Sequence, residues 1–366
     1  MLNGLLICSG EERSKNIGDY IQSVAQEQFF DHIDCYVERE SMNTFTNTEK
    51  TNVIMNSWFM WHPENFPPSA VINPLFISFH IVPTIAERLL TNKTVDYLKQ
   101  HEPIGARDFT TQRLLESHGI KSYFSGCLTL TLGLKYKSDK KTDEIIFVDP
   151  YYELGWGNKY SKIIQVLSSF IYVVEHFGKI NKLKERFINE RITKLSKISS
   201  RLERLLFCAS FYHYYSTLFE DTLLYNAVYI KHEVPQKDFK NEDEKMEYAR
   251  VLLRRYSEAR LVITSRIHCA LPCLGIETPV LFVTAEDLEK GFLRSPGRFE
   301  GLTDLLNIVK WTSKGLTPES VKLKESLGSQ KIGENVYISN PVKYVPLKEK
   351  LIRTVNQFIN NSIAIK

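Results

Sequence analysis

LVITSRIHCALPCLGIETPVLFV, Leu261 to Val283, reads as a complete strand–helix–strand unit. Its two apolar runs do not alternate with polar residues, which marks strands buried on both faces, as in a parallel sheet. In open parallel sheets ligands sit outside the carboxyl ends of the strands. Arg266 and His268 stand at such an end, where the helix begins. A helix N-terminus offers free N–H groups and positive dipole, an arginine offers a planar fork, and a histidine offers a proton near neutral pH. Together they suit an anion that is held and protonated. Ser265 or Thr264 is expected to cap the helix. A structural reading competes here: Arg266 paired with an acid such as Glu258, and His268 bonded to a carbonyl.

The same pattern extends outward. LLIC (5–8), CYVERE, NVIMN (52–56), PLFISFH (74–80, ending at His80), PIGARD and KSYFSG read as strands. Helices are expected from Asp19 as cap to Phe29, over TIAERLL and TVDYLKQ, and over TTQRLLESHG closed by Gly119. A lysine-rich linker, KYKSDKKTD (135–143), precedes a second series: EIIFVDP and NAVYIKHE as strands, DEKMEYARVLLRRYSEA, LTDLLNIV and LKEKLIRTVNQFINN (347–361) as helices. The expectation is an α/β fold of two Rossmann-like domains facing a cleft, spanning 1–140 and 141–340. Carboxyl-end positions then include Asn16 to Asp19, Asn56 to His62, His80, Arg107-Asp108, Asp149 to Trp156, His232-Glu233 and Ser265 to His268.

Composition removes several classes. Of 366 residues 43% are apolar and 25% charged, as in a folded globular chain, and a net charge of +4 gives no argument for nucleic acid. The six cysteines (8, 35, 127, 208, 269, 273) show no C-x-x-C, so no metal is expected, and a reducing compartment is the simplest setting. There is no G-x-G-x-x-G and no P-loop, which speaks against a dinucleotide cofactor. MLNGLLICSG lacks a basic n-region and no window nears the roughly 20 apolar residues of a span, so a cytoplasmic, non-spanning protein is expected.

Two segments stay open. NSWFMWHPENFPP (56–68) gathers Trp58, Trp61 and His62, which suit either a sugar platform or a loop stapled to the core. Residues 179–204 carry nine Lys/Arg and three Glu, with Ile180, Leu183, Phe187, Ile192, Leu195, Ile198 and Leu202 on one helical stripe. That stripe fits an ordinary core face or contact with an anionic membrane, and the segment (about 158–220) reads as a helical insertion.

PIGARDFTTQRLLESHGIKSYFSGCLTLTL (103–132), LVITSRIHCALPCLGIETPVLFV and NIGDYIQ (16–22) resemble the polysaccharide pyruvyl transferase family. The resemblance implies a fold similar to the B-type glycosyltransferases, with the acceptor side in the first domain, the donor side in the second, and the terminal helix crossing back. It implies pyruvyl transfer from phosphoenolpyruvate to a hexose of a capsular or exopolysaccharide repeat, giving a cyclic ketal and phosphate, with no cofactor beyond that co-substrate. By position Arg266 and His268 match the family's Arg-x-His, Arg107 its first-domain arginine and His80 its first-domain histidine. GCLTLTL departs from the family, many of whose members have an acid there. With the residue-level reading this makes Arg266, Arg107, Ser265 and Asn16 donor-binding, His268 the first candidate acid, His80 or His232 the base, and Trp58, Trp61 and His62 acceptor-binding. A lipid-linked oligosaccharide acceptor would give the basic segment a purpose at the membrane. A nucleotide-sugar glycosyltransferase and a non-catalytic scaffold of polysaccharide assembly remain the rival expectations.

Overall fold

The computed structural model describes residues 1–9, 15–151, 170–189, 201–234, 238–285 and 297–364. It is a mixed α/β structure with several parallel sheets. The first half contributes β1 (Leu2–Ile7), β2 (Cys35–Glu38), β3 (Thr51–Ile54), β4 (Trp58–Phe59), β5 (Ile72–Leu75), β6 (His80–Ile81), β7 (Ile104–Ala106) and β8 (Ser122–Phe124). A parallel four-stranded sheet runs β2-β1-β3-β5, and β4-β6 and β7-β8 form parallel pairs. PLFISFH is not one strand. The chain leaves β5 at Leu75, and residues 76–79 pair with β7 through Gly105 N→Phe76 O (3.0 Å) and Phe79 N→Gly105 O (2.9 Å). Ser78 bends there at φ 54, so His80 opens a new strand instead of ending an old one.

The second half contributes β9 (Ile145–Val148), β10 (Val228–Ile230), β11 (Leu261–Thr264), β12 (Val280–Thr284), β13 (Asn307–Thr312) and β14 (Gly315–Pro318), in the order β10-β9-β11-β12-β13-β14. All pair parallel except β14 on β13. Here LTDLLNIV corrects the expectation of a helix. Only Thr303–Leu305 turns, as 3-10 helix, and from Asn307 the side chains alternate with Val309 and Trp311 buried. Pairing with β12 outweighs the short helical spacing of the leucines.

Alternation along the strands sorts the core. Phe147, Tyr229, Ile263, Leu281 and Val309 face one way, against the helices Phe177–Asn189 and Arg201–Tyr215. Ile146, Val148, Ile230, Val262 and Phe282 face the other, against Glu242–Glu258 and Ile267–Gly275, and this core runs on to Leu5, Ile7 and the helix Ile17–Glu27 of the first half. The terminal helix Val345–Ala364 joins it through Leu351 and Val355 and lays Lys350 over Tyr123.

Ile180, Leu183 and Phe187 are all buried, so the described half of the basic segment's stripe is a core face. Its basic side is partly engaged, with Lys179 on Asp221 (2.8 Å) and Arg186 Nη2 donating to Ala227 O (2.9 Å). Ile192, Leu195, Ile198 and Leu202 lie outside the described side chains, as do residues 166–169 of VLSSFIYVV (166–174). No helix among the described residues is long and apolar enough to cross a membrane. The six cysteines are free.

The two halves meet backbone to backbone at Gly275, where a Cβ would lie 2.5 Å from Leu130 O. Gly275→Ala should therefore cost about 1–3 kcal/mol, read as a lower denaturation midpoint at unchanged slope. Gly178→Ala, in open space within a helix, should be neutral or stabilising by up to about 1 kcal/mol.

Candidate active site

Loops at the carboxyl ends of β1, β7, β10, β11 and β12 come together. Residues 15–18, leading into the helix Ile17–Glu27, are clamped to the end of β10 by Ile17 N→His232 O and Val234 N→Lys15 O (both 2.8 Å) and by an Asn16–Glu233 bridge. Asn16, not Asp19, caps that helix, its Oδ1 accepting from Gly18 N at 3.2 Å. Gly18 has no Cβ because one would stand 3.0 Å from the His268 Cβ. On the far side, residues 297–300 rest on the helix Phe109–Ser117: Phe109 N bonds Glu300 O (3.2 Å), Thr110 Oγ1 bonds Gly297 O (3.2 Å), and Arg113 Nη1 bonds Glu300 Oε1 (3.0 Å). Arg107 Nη2 reaches Arg298 O at 3.5 Å.

Arg266 is itself the N-cap residue, with extended φ/ψ and no side-chain cap bond, which corrects the expected capping by Ser265 or Thr264. Thr264 Oγ1 accepts from Arg266 N (3.0 Å) and donates to Val148 O (2.8 Å), while Ser265 Oγ accepts from Tyr151 N (2.8 Å). Both hydroxyls thus secure the strand end. The Ile267 and His268 N–H groups bond to no described residue, so the positive helix end is open. The Arg266 partner is Asp149, not Glu258: Nε donates to Asp149 Oδ2 at 2.9 Å.

His268 is buried, and its Nε2 has no hydrogen-bond partner among the described residues. Burial, then the charges of Arg107 and Arg298, then His232 and His80, hold its pKa well below 6.5, so the free protein keeps it neutral. Arg107, Arg298, His232 and His80 are thus the groups whose charge acts on it. Burial, Arg107 and Arg266 bring Arg298 down to about 10. The Nε atoms of Arg107 and Arg298 are buried without a hydrogen bond, Arg107 Nε having only a 3.4 Å charge contact with Asp108. Arg298 is repelled by both Arg107 and Arg266, and arginines with unused buried donors are chemically suited to take up negative charge.

Sequence reading missed Arg298. The signal was available: the loop after β12 is also a carboxyl-end loop, and SPGRF carries the arginine past a glycine at φ 79.

His80 Nδ1 lies 2.7 Å from Asp108 Oδ2 and 3.1 Å from Thr111 Oγ1. The carboxylate contact is close but poorly aligned for a hydrogen bond, since Oδ2 has no bonded partner. Asp108 also caps its helix, Oδ1 accepting from Thr111 N at 2.9 Å. Burial and Arg107 lower the His80 pKa against the opposing pull of Asp108. Burial pushes the Asp108 carboxyl up, but His80 and Arg107 outweigh it and hold it below the usual value. A carboxylate at Nδ1 favours the Nδ1–H tautomer, leaving Nε2 as a base. His232 is different: it is fully buried with Nε2 at 2.9 Å from Tyr256 OH.

Trp58 stands opposite His80 in the β4-β6 register, with Trp61 edge-on at 4.8 Å and the buried Arg39 guanidinium 4.2 Å from its ring centre. Trp61 is exposed, whereas His62 pairs with Glu64 at 3.1 Å. The loop ends thus bring together Arg266, His268, Arg107 and His80, Trp58 is the strand neighbour of His80, and His62 is turned to a surface acid. Among the described residues no cluster of three or more His, Cys, Asp or Glu is placed to hold a metal ion.

A family model described as polysaccharide pyruvyl transferase matches residues 73–287. The match takes in His80, Arg107, Arg266 and His268 and stops short of Arg298. No curated protein and no solved structure matches the chain.

Proposed function

Because the chain belongs to the polysaccharide pyruvyl transferase family, we propose that it moves a pyruvyl group from phosphoenolpyruvate to a hexose of a capsular or exopolysaccharide repeat unit. The product is a cyclic ketal, and phosphate leaves. The observation that carries this reading is the cradle of Arg107, Arg266 and Arg298 around a neutral, unpartnered His268. Phosphoenolpyruvate carries about three negative charges near pH 7, two on phosphate and one on carboxylate. The arginines and the open N–H groups of Ile267 and His268 suit such a donor.

Bound beside that charge, His268 gains a proton and passes it to the donor's methylene carbon. The adjacent carbon becomes oxocarbenium-like and accepts a sugar hydroxyl, whose proton goes to His80 Nε2. Loss of phosphate regenerates the cation, and a second hydroxyl of the same sugar closes the ring, its proton leaving with phosphate. Trp58 and Trp61, beside His80, form the acceptor platform. His232, buried on Tyr256, acts from behind as a support. We read 1–140 and 141–340 as Rossmann-like halves, arranged as in B-type glycosyltransferases. The terminal helix over Tyr123 supports its return to the first half.

Thermal unfolding with phosphoenolpyruvate, against a panel of nucleotide sugars, tests the donor. A ligand at about 100 times its Kd adds about 2.7 kcal/mol to stability. Stabilisation by phosphoenolpyruvate alone, lost in Arg266→Ala, is expected. Stabilisation by a nucleotide sugar instead would make the protein a glycosyltransferase.

A further inference from the structure

We propose that Asp149 is a positioning residue that aims Arg266 at the donor, an inference that rests on the donor site above. Arg266 has five N–H donors, and Asp149 takes one, Nε–H, at 2.9 Å. The terminal nitrogens bond to no described residue. A carboxylate on Nε fixes the plane of the guanidinium while leaving its outer fork for an anion. A bidentate pair across the fork, by contrast, would have consumed the binding edge.

Asp149 is itself held from several directions. Its N–H donates to Ile230 O (3.1 Å), and its Oδ2 also accepts from His232 N (3.2 Å). The His232 ring is in turn anchored on Tyr256 OH at 2.9 Å. At φ 39, Asp149 occupies the left-handed region that non-glycine residues seldom visit, and it does so at the carboxyl end of β9. Strain of this kind persists where the surroundings over-determine the residue, as they do here.

The rival role is a plain counter-ion that offsets the charge of Arg266. The two roles predict opposite signs. Removing a carboxylate near a trianionic donor should tighten binding by electrostatics alone, whereas losing the aim of Arg266 should weaken it. Two variants separate these effects. Asp149→Asn keeps an oxygen acceptor and tolerates positive φ; Asp149→Gly removes the acceptor and relieves the backbone. Phosphoenolpyruvate titrated by calorimetry should bind Asp149→Asn within about threefold of the parent. Asp149→Gly should bind about 10–100-fold more weakly, the scale of a side chain misplaced by about an ångström. Equal or tighter binding by Asp149→Gly overturns the proposal, as does an Asp149→Asn as weak as the glycine variant.

A crystal structure of Asp149→Gly reads the position of Arg266 without any donor. A displaced guanidinium is expected, and an unmoved one refutes the positioning role. Should phosphoenolpyruvate fail to bind the parent protein, the donor reading falls, yet this structure still decides whether Asp149 positions Arg266.

Discussion

His268→Asn should lower kcat by about 10²–10⁴-fold, the usual worth of a positioned proton donor, with phosphoenolpyruvate affinity reduced far less. Asparagine keeps a polar group at that place but has no proton to give. The accompanying pH signature is more specific. In the free protein the imidazole pKa lies well below 6.5, through burial and then Arg107 and Arg298. A bound trianion offsets those charges and raises it, so binding at pH 7 takes up a proton. Between the free and bound pKa values affinity must therefore fall as pH rises, by at most tenfold per unit. Calorimetry in buffers of different ionisation enthalpy should find uptake of about one proton for the parent and almost none for His268→Asn. Full activity in the variant would remove His268 from the chemistry. For the free protein the linkage runs the other way. His80 and His268 are both depressed, so below pH 6.5 the unfolded chain binds more protons, and stability falls as pH drops.

Much of the scaffold was legible because its signals are local. The unit at 261–283 resolves into β11, the helix Ile267–Gly275 and β12, since unbroken apolar runs and a glycine stop need no tertiary context. The errors lie where pairing decides. The stretch 302–309 reads as helix until β12 supplies a partner for Asn307–Thr312. PLFISFH reads as one strand until β7 captures residues 76–79 and turns the chain at Ser78. That bend is also what turns His80 toward Asp108 and Arg107.

The candidate site was legible residue by residue and not as an electrostatic whole. Arg266, His268 and Arg107 are visible as polar groups at strand ends, whereas His80 reads as a strand end and in fact opens β6. The partners that set their states, Asp149 on Arg266 and Asp108 on His80, are ordinary acids in the sequence and become meaningful only at 2.9 and 2.7 Å. Ser265 shows the converse, since its place at a strand end suggested ligand contact while its oxygen accepts from Tyr151 N.

Arg298→Met should separate binding from stability more sharply than any other change at the candidate site. Removing one member of a buried charge pair in a complex costs about 2–5 kcal/mol, so phosphoenolpyruvate affinity should fall by about 30-fold to a few thousandfold. Without the donor the same arginine is a burden. Its pKa is held down to about 10 by burial and by Arg107 and Arg266, which means that its charge is disfavoured in the folded state. At pH 7 it remains charged, and methionine keeps an apolar stem of related length while removing that repulsion. The melting temperature of the free protein should therefore hold or rise as donor binding collapses. A structural arginine would behave oppositely, losing stability and leaving affinity intact. Glu300→Gln supplies the control, because it loosens the Arg113 contact that seats residues 297–300 without touching the cradle's charge. If that variant loses donor affinity as steeply as Arg298→Met, residues 297–300 act as a clasp, and the third positive charge is incidental.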